Sequence, residues 1–148
     1  MIRQATRYDI PRLLELIEQY AIETGINALA NKANHDAKYV EQFLFEIISG
    51  RGFVLIDNNL RGCLIGLVNK NVWCPAVTEL HELLWWVEPE FRNTMVGGKL
   101  WLEFDKIATS LLKEGKIQMV CTSVSPKGPL IDYTKRGYKV MQATFVKD

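Results

Sequence analysis

The sequence predicts an α/β fold: a mixed, mostly antiparallel sheet with a central parallel βαβ unit and helices on both faces. Three observations lead there. Apolar runs of strand length are interspersed with segments whose apolar residues recur at helical spacing. Two of the strand-like runs flank the turn "DNN", as in a hairpin. Over residues 79–124 a strand-like run, a glycine-bearing turn, a long amphipathic segment and another strand-like run follow one another, which requires a crossover between parallel strands.

The elements follow in order. "MIRQA" reads as a first strand, and "TRYD" fits a capping box in which Thr6 and Asp9 bond each other's backbone. Ile10, Leu13, Leu14, Ile17 and Ala21 then mark one face of a helix, with Pro11 tolerable only at its start. "GINALANKANH" reads as a polar loop. "DAKYVEQFLFEIISG" is a second helix, with Asp36 as cap and Gly50 as left-handed stop. "GFVLI", "LRGCLIGLV" and "TELHELLWWV" form a meander that Pro89 closes. "GGKLWLEFDKIATSLLKEG" is a helix with Leu100, Phe104, Ile107, Ala108, Leu111 and Leu112 inward and Gly115 at its end. "IQMVCTSV" is a strand, "PLIDYTKRG" a short helix and "YKVMQATFVKD" a final strand.

Length and composition restrict the function. A chain of 148 residues, 48% apolar and 24% charged, is expected to form a single domain, residues 1–148, with a proper core. A net charge of +1 without a basic tract gives no expectation of specific nucleic-acid binding or of attraction to an anionic membrane. No apolar run reaches membrane-spanning length, and the N-terminus lacks a signal-peptide pattern. Cys63, Cys74 and Cys121 are odd in number and far apart, so no disulfide framework or CxxC metal site is expected. Buried free thiols in a reducing, cytoplasmic compartment are the simplest reading. Two histidines, His35 and His81, are too few for a His-rich metal centre, and no metal is expected.

The turn "RNTMVGGK" between the third meander strand and the long helix is the main candidate site. A helix N-terminus presents unpaired backbone N–H groups and the positive end of the helix dipole, so it attracts anions, phosphate above all. Gly97 and Gly98 would let backbone approach such a ligand, and Arg92 and Lys99 would add charge. The same glycines would equally serve a tight turn or close helix–strand packing. Lys99 is followed by Leu100, so the turn is not a P-loop, and it lacks the spacing of a dinucleotide fingerprint.

These residues resemble the GNAT superfamily, the Gcn5-related N-acetyltransferases. The family's pyrophosphate signature R/Q-x-x-G-x-G/A is approached by "RNTMVG", with Met95 where the first glycine stands. "WWVEPEF" resembles the lead-in to that signature, "IRQATRYDIPRLLEL" the opening strand and helix, and "YTKRGY" a late Y-x-x-x-G-F/Y element. The tryptophan pair is most similar to small acetyltransferase-like proteins of bacteriophages. The resemblance implies an acyltransferase that moves an acetyl or short acyl group from CoA to a primary amine, by direct attack in a ternary complex. It implies acetyl-CoA as co-substrate, held by Trp86, Val87, Arg92, Asn93, Thr94, Met95, Val96, Gly97, Gly98 and Lys99. The acceptor is not specified, because loops 26–35 and 71–77 would shape its pocket, and a homodimer remains open.

Such chemistry needs a base for the amine and an acid for the leaving thiolate. Glu82 is the first candidate base, with His81 second and Glu79 third. Regular alternation places Glu82, Leu84 and Trp86 on one face and Glu79, His81, Leu83 and Trp85 on the other, unless a bulge shifts the register. A carboxylate inside this apolar run is either desolvated, which raises its pKa usefully, or simply solvent-facing. Tyr133 matches the family's thiolate-protonating tyrosine, against the alternative of a core tyrosine. Ser123 and Ser125 are weaker candidates for holding water or substrate. Cys121 shows no His–Asp set around it in sequence and reads as core. The rival to an enzyme is a catalytically silent relative that binds a partner protein, with Met95 and the "KNVWCPAV" stretch around Trp73 in its favour.

Overall fold

The computed structural model describes residues 1–125, 128–129 and 131–148. Among these residues five strands form one sheet in chain order: β1 (Ile2–Gln4), β2 (Gly52–Asp57), β3 (Gly62–Lys70), β4 (Thr78–Val87) and β5 (Met119–Cys121). Neighbours from β1 to β4 are antiparallel, and β4 and β5 are parallel. The expected mixed sheet with its βαβ unit is therefore present. Helices α1 (Ile10–Glu23) and α3 (Ala37–Glu46) cover one face, and α4 (Val96–Lys113) covers the other. Among the described residues no helix is long and apolar enough to cross a membrane.

Local chemistry explains the boundaries. Thr6 and Asp9 form the expected capping box ahead of α1, and Arg3 donates twice to the Asp9 carboxylate at 2.8 Å. Asp36 caps α3 by accepting from the Tyr39 N–H. The helix end loosens into a π-type turn, Ile47–Arg51, in which Gly50 takes a φ of 145°. Gly115 ends α4 with a φ of 71°, a backbone state that a side chain disfavours. The polar loop at 25–35 also holds a one-turn helix α2 (Asn27–Ala30) and a 3₁₀ turn (Lys32–Asn34).

Two cores lie on either side of the sheet. Ile10, Leu13, Leu16, Leu44 and Ile47 pack with Ile56, Ile65 and Trp86 on the α1/α3 face. Leu80, Val96, Leu100, Trp101 and Phe104 pack with Leu55 and Leu64 on the α4 face. Burying a large aliphatic side chain contributes about 2 kcal/mol, so these residues dominate the stability. Leu16 and Trp101 lie outside the apolar stripes expected from sequence yet are buried, whereas Leu112 is exposed.

The C-terminal third departs most from expectation. The strand expected over 117–124 shortens to Met119–Cys121, and the helix expected over 129–137 reduces to a 3₁₀ turn, Thr134–Arg136. Position 130 of that segment lies outside the described residues. Residues 138–148 form no strand. A strand needs a partner along its length, and a β5 of 3 residues offers little edge. The tail leaves it and reaches α2, where the Asp148 carboxylate accepts from the Ala28 N–H. Val140 and Phe145 are consequently 91% and 93% exposed.

Candidate active site

The strand β4 changes face midway. Gly66 pairs with Glu82 and Ile65 with Leu84, so Leu83 is an extra residue in a β-bulge. Before it, His81 lies opposite Leu67 on the α1/α3 face, and Leu80 joins the α4-side core. After it, Leu84 and Trp86 join the α1/α3-side core, and Trp85 and Val87 the α4 side. Regular alternation, which put Glu82 with Leu84 and Trp86, is thus corrected: the bulge separates them. Beside this bulge the parallel pairing stops. His81–Cys121 is the last β4–β5 pair, and β4 continues to Val87 without β5 alongside. The gap in pairing is that, among the described residues, β4 beyond this pair has no strand neighbour on the β5 side.

Glu82 sits at the mouth of that gap. The hydroxyl of Thr122, the residue after the last pair, donates to Glu82 Oε1 at 3.3 Å, and the Ser123 N–H also bonds the carboxylate. Burial outweighs both bonds and pushes the carboxyl up to about 7. The Tyr133 phenol shares a hydrogen bond with the same Thr122 hydroxyl. Burial holds the Tyr133 pKa above its ordinary value, and the Glu82 charge adds to this. Tyr133 also packs edge-on against Trp101 at 5.5 Å. Two candidates separated by 51 positions, 133 − 82, thereby converge on one residue that sequence reasoning missed. No sequence signal singles out Thr122: it reaches Glu82 only because the parallel register pairs Cys121 with His81, so that each of the two follows a paired residue.

The glycine turn stands beside the gap. Met95 occupies the N-cap of α4 without a capping side chain. The Val96 N–H donates to Thr94 Oγ1, and the Lys99 N–H makes the first helical bond, to Met95 O. The Gly97 and Gly98 N–H groups between them have no acceptor among the described residues. Neither glycine has a positive φ. A Cβ at Gly97 would make only ordinary contacts, 3.5 Å or more, and one at Gly98 would meet open space. Turn conformation and close packing therefore do not require these glycines, and the sequence alternative on those grounds falls away. The indole Nε1 of Trp85 is buried without a partner among the described residues and lies 3.9 Å from the position a Gly97 Cβ would take. A buried donor left unpaired beside two free backbone donors fits a site shaped for an acceptor-rich ligand. A cleft of about 550 Å³, bounded by Gly98, Trp101, Asp132 and Lys135, extends from the turn. On its other side a smaller one of about 200 Å³ is bounded by Arg61, Met95 and Lys99.

The other residues named from sequence have various positions. Arg92 is committed elsewhere: it donates to Val87 O at 3.0 Å, forks onto the Glu23 carboxylate and stacks over Trp86. Its expected part in supplying free positive charge is corrected to one of fastening α1 to the end of β4. Lys99 is exposed, and Asn93, Thr94 and Met95 are exposed ahead of the helix, Met95 with its side chain 71% in solvent. Trp86 is buried, and its indole N–H donates to Gln19.

On the opposite face, His81 is not beside Glu82. Its Nε2 lies 2.6 Å from Glu79 Oε1, and Asn71 donates to Glu79 Oε2 at 2.9 Å. The Asn71 bond, then the His81 bond, hold the Glu79 carboxyl below its usual range. Cys121 completes this group, with one ligand-type atom of each of the three residues within 4.8 Å of the others. The sequence reading that no His–acid set surrounds Cys121 is therefore corrected, because parallel register brings together what the chain separates. Cys63 is buried as expected, its thiol pushed up to about 12 by desolvation, whereas Cys74 is exposed.

Comparison with known structures places the fold. A GCN5-related N-acetyltransferase from Ralstonia eutropha JMP134 matches 99% of this chain and 97% of its own, with a TM-score of 0.69 and 17% identity. A possible acetyltransferase from Clostridium difficile 630 matches 100% of this chain and 96% of its own, at TM-score 0.67 and 13% identity. Glucosamine-6-phosphate N-acetyltransferase from Arabidopsis thaliana matches 99% and 96%, at TM-score 0.64 and 17% identity. No protein-family model and no curated protein matches the sequence.

Proposed function

We propose, from a chain with the fold of the Gcn5-related N-acetyltransferases, that this protein transfers an acetyl or short acyl group from CoA to a primary amine. The observation that carries this reading is the convergence of Glu82, Thr122 and Tyr133 at the point where β4 and β5 part. The pyrophosphate of acetyl-CoA rests on the Gly97 and Gly98 N–H groups at the α4 N-terminus, with Lys99 nearby. The pantetheine arm enters the gap along Trp86 and Val87, where β4 has no strand neighbour on the β5 side among the described residues. A carboxylate that titrates near neutrality suits a base, and Glu82 takes the amine proton as nitrogen attacks the thioester carbonyl. The C–S bond breaks, and Tyr133 gives its proton to the departing sulfur. Thr122, bonded to both groups, connects Glu82 to the Tyr133 phenolate for its reprotonation.

The test is free-thiol release from acetyl-CoA against a panel of amines, with acetyl-CoA binding measured in parallel. Binding and amine-dependent release by the parent protein, both lost in Gly97→Glu, are the expected result. Binding undiminished in Gly97→Glu would remove the cofactor from this turn.

A specific observation favours a second reading, a silent member of the fold that docks a protein. Trp73 and Val72 in the β3–β4 loop are 87% and 83% exposed. A parent protein that neither binds acetyl-CoA nor releases thiol with any amine would support that alternative.

A further inference from the structure

We propose that Glu79, His81 and Cys121 form a binding site for a thiophilic divalent cation, with zinc the best fit. The three come from two strands, and one ligand-type atom of each lies within 4.8 Å of the others. A carboxylate, an imidazole and a thiol match the ligand types zinc selects, whereas magnesium and calcium favour oxygen donors. Neighbouring ligands on a tetrahedral zinc are about 3.5 Å apart, so side-chain rotation alone can close the cluster.

Two further features fit a built site. Glu79 is only 7% exposed, and among the described residues its one ion-pair neighbour is His81. Asn71 already orients the carboxylate through its second oxygen, leaving Oε1 toward His81, as outer residues do around bound metals. His81 and Cys121 are only partly buried, which leaves an entry path.

The location gives the site a purpose. His81–Cys121 is the last β4–β5 pair before the strands separate. A cation there pins the vertex of the gap from the face opposite Glu82 and Tyr133, so it positions the strands without touching the reaction. On binding, the Cys121 thiol loses its proton to solvent and its thiolate joins the metal. The metal also displaces the hydrogen bond between Glu79 and His81. Three protein ligands leave a fourth position for water.

The purified protein, freed of metal with a chelator, is titrated with zinc against a chromogenic competitor, and with cobalt followed by absorption. One zinc per chain and a cobalt–thiolate charge-transfer band are expected. Affinity should fall at least tenfold in Cys121→Ser and in Glu79→Gln, fall by a smaller factor in Asn71→Ala, and stay unchanged in Cys74→Ser. Because the cobalt spectrum and the Cys74→Ser variant keep the three ligands, the site remains testable even if a ligand variant misfolds. The proposal is overturned by no saturable binding in the parent, by cobalt bound without a thiolate band, or by loss of binding in Cys74→Ser. None of these readouts depends on acyl transfer, so they stand apart from the proposed activity.

Discussion

Glu79 and Glu82 stand three positions apart on one strand, and their surroundings push them in opposite directions. Hydrogen bonds from Asn71 and His81 hold Glu79 low. Desolvation pushes Glu82 to about 7, against only the Thr122 and Ser123 bonds. Strand alternation puts the two on opposite faces, and the bulge at Leu83 removes Leu84 and Trp86 from the Glu82 face. The difference teaches that residue type does not assign the base. The balance of donors and desolvation around each carboxylate does, and a pair pushed apart in this way is how a fold keeps one carboxylate for proton transfer and another for structure.

The largest expected effect separates the two in catalysis. Glu82→Gln should lower turnover by about a hundredfold or more while acetyl-CoA affinity stays within about twofold, as measured by steady-state kinetics and calorimetry. Glu79→Gln should leave turnover within about threefold. Tyr133→Phe should match the Glu82→Gln loss in turnover and cost no more than about 1 kcal/mol of stability in denaturant titrations. Equal losses from both glutamates would break the contrast.

Stability should separate them with opposite signs. The Glu82 pKa is raised from 4.5 to about 7 in the folded protein, so the native state binds more protons between these values and stability falls as pH rises through that window. Glu82→Gln removes this penalty and should be more stable than the parent by about 3 kcal/mol at pH ~8, with the gain gone at pH ~4.5. The Glu79 pKa is lowered from 4.5, so its contribution is present above 4.5 and is lost as pH falls through the lower folded value. Glu79→Gln should therefore destabilise at neutral pH, by about 1 kcal/mol, and the loss should shrink in acid. The smallest effect falls on the link between base and acid. Thr122→Val removes a bond that stabilises the Glu82 carboxylate, so the apparent pKa in its pH–rate profile should move up by a few tenths.

The first four strands were legible because their signals are local: caps, a hairpin turn and apolar periodicity. The glycine turn and the pair Glu82 and Tyr133 were legible through family resemblance. Thr122, the Leu83 bulge and the Glu79–His81–Cys121 group were not, since each depends on the register of β4 against β3 or β5, which periodicity does not encode. The segment 138–148 has the apolar content of a strand, but a strand forms only where an edge receives it. Arg92 misled because its motif position suggested an anion, while Glu23 and Val87 O, remote in sequence or in the backbone, already occupy it.

The most direct measurement is the pH dependence of kcat/KM for acetyl transfer in the parent, Glu79→Gln and Glu82→Gln proteins, with one amine whose own ionisation lies well above neutrality. The parent should show an enzyme ionisation near 7, set by the desolvated Glu82 carboxyl, that persists in Glu79→Gln and disappears in Glu82→Gln. An ionisation that survives in Glu82→Gln and vanishes in Glu79→Gln would contradict the assignment and place the base on the other face of β4.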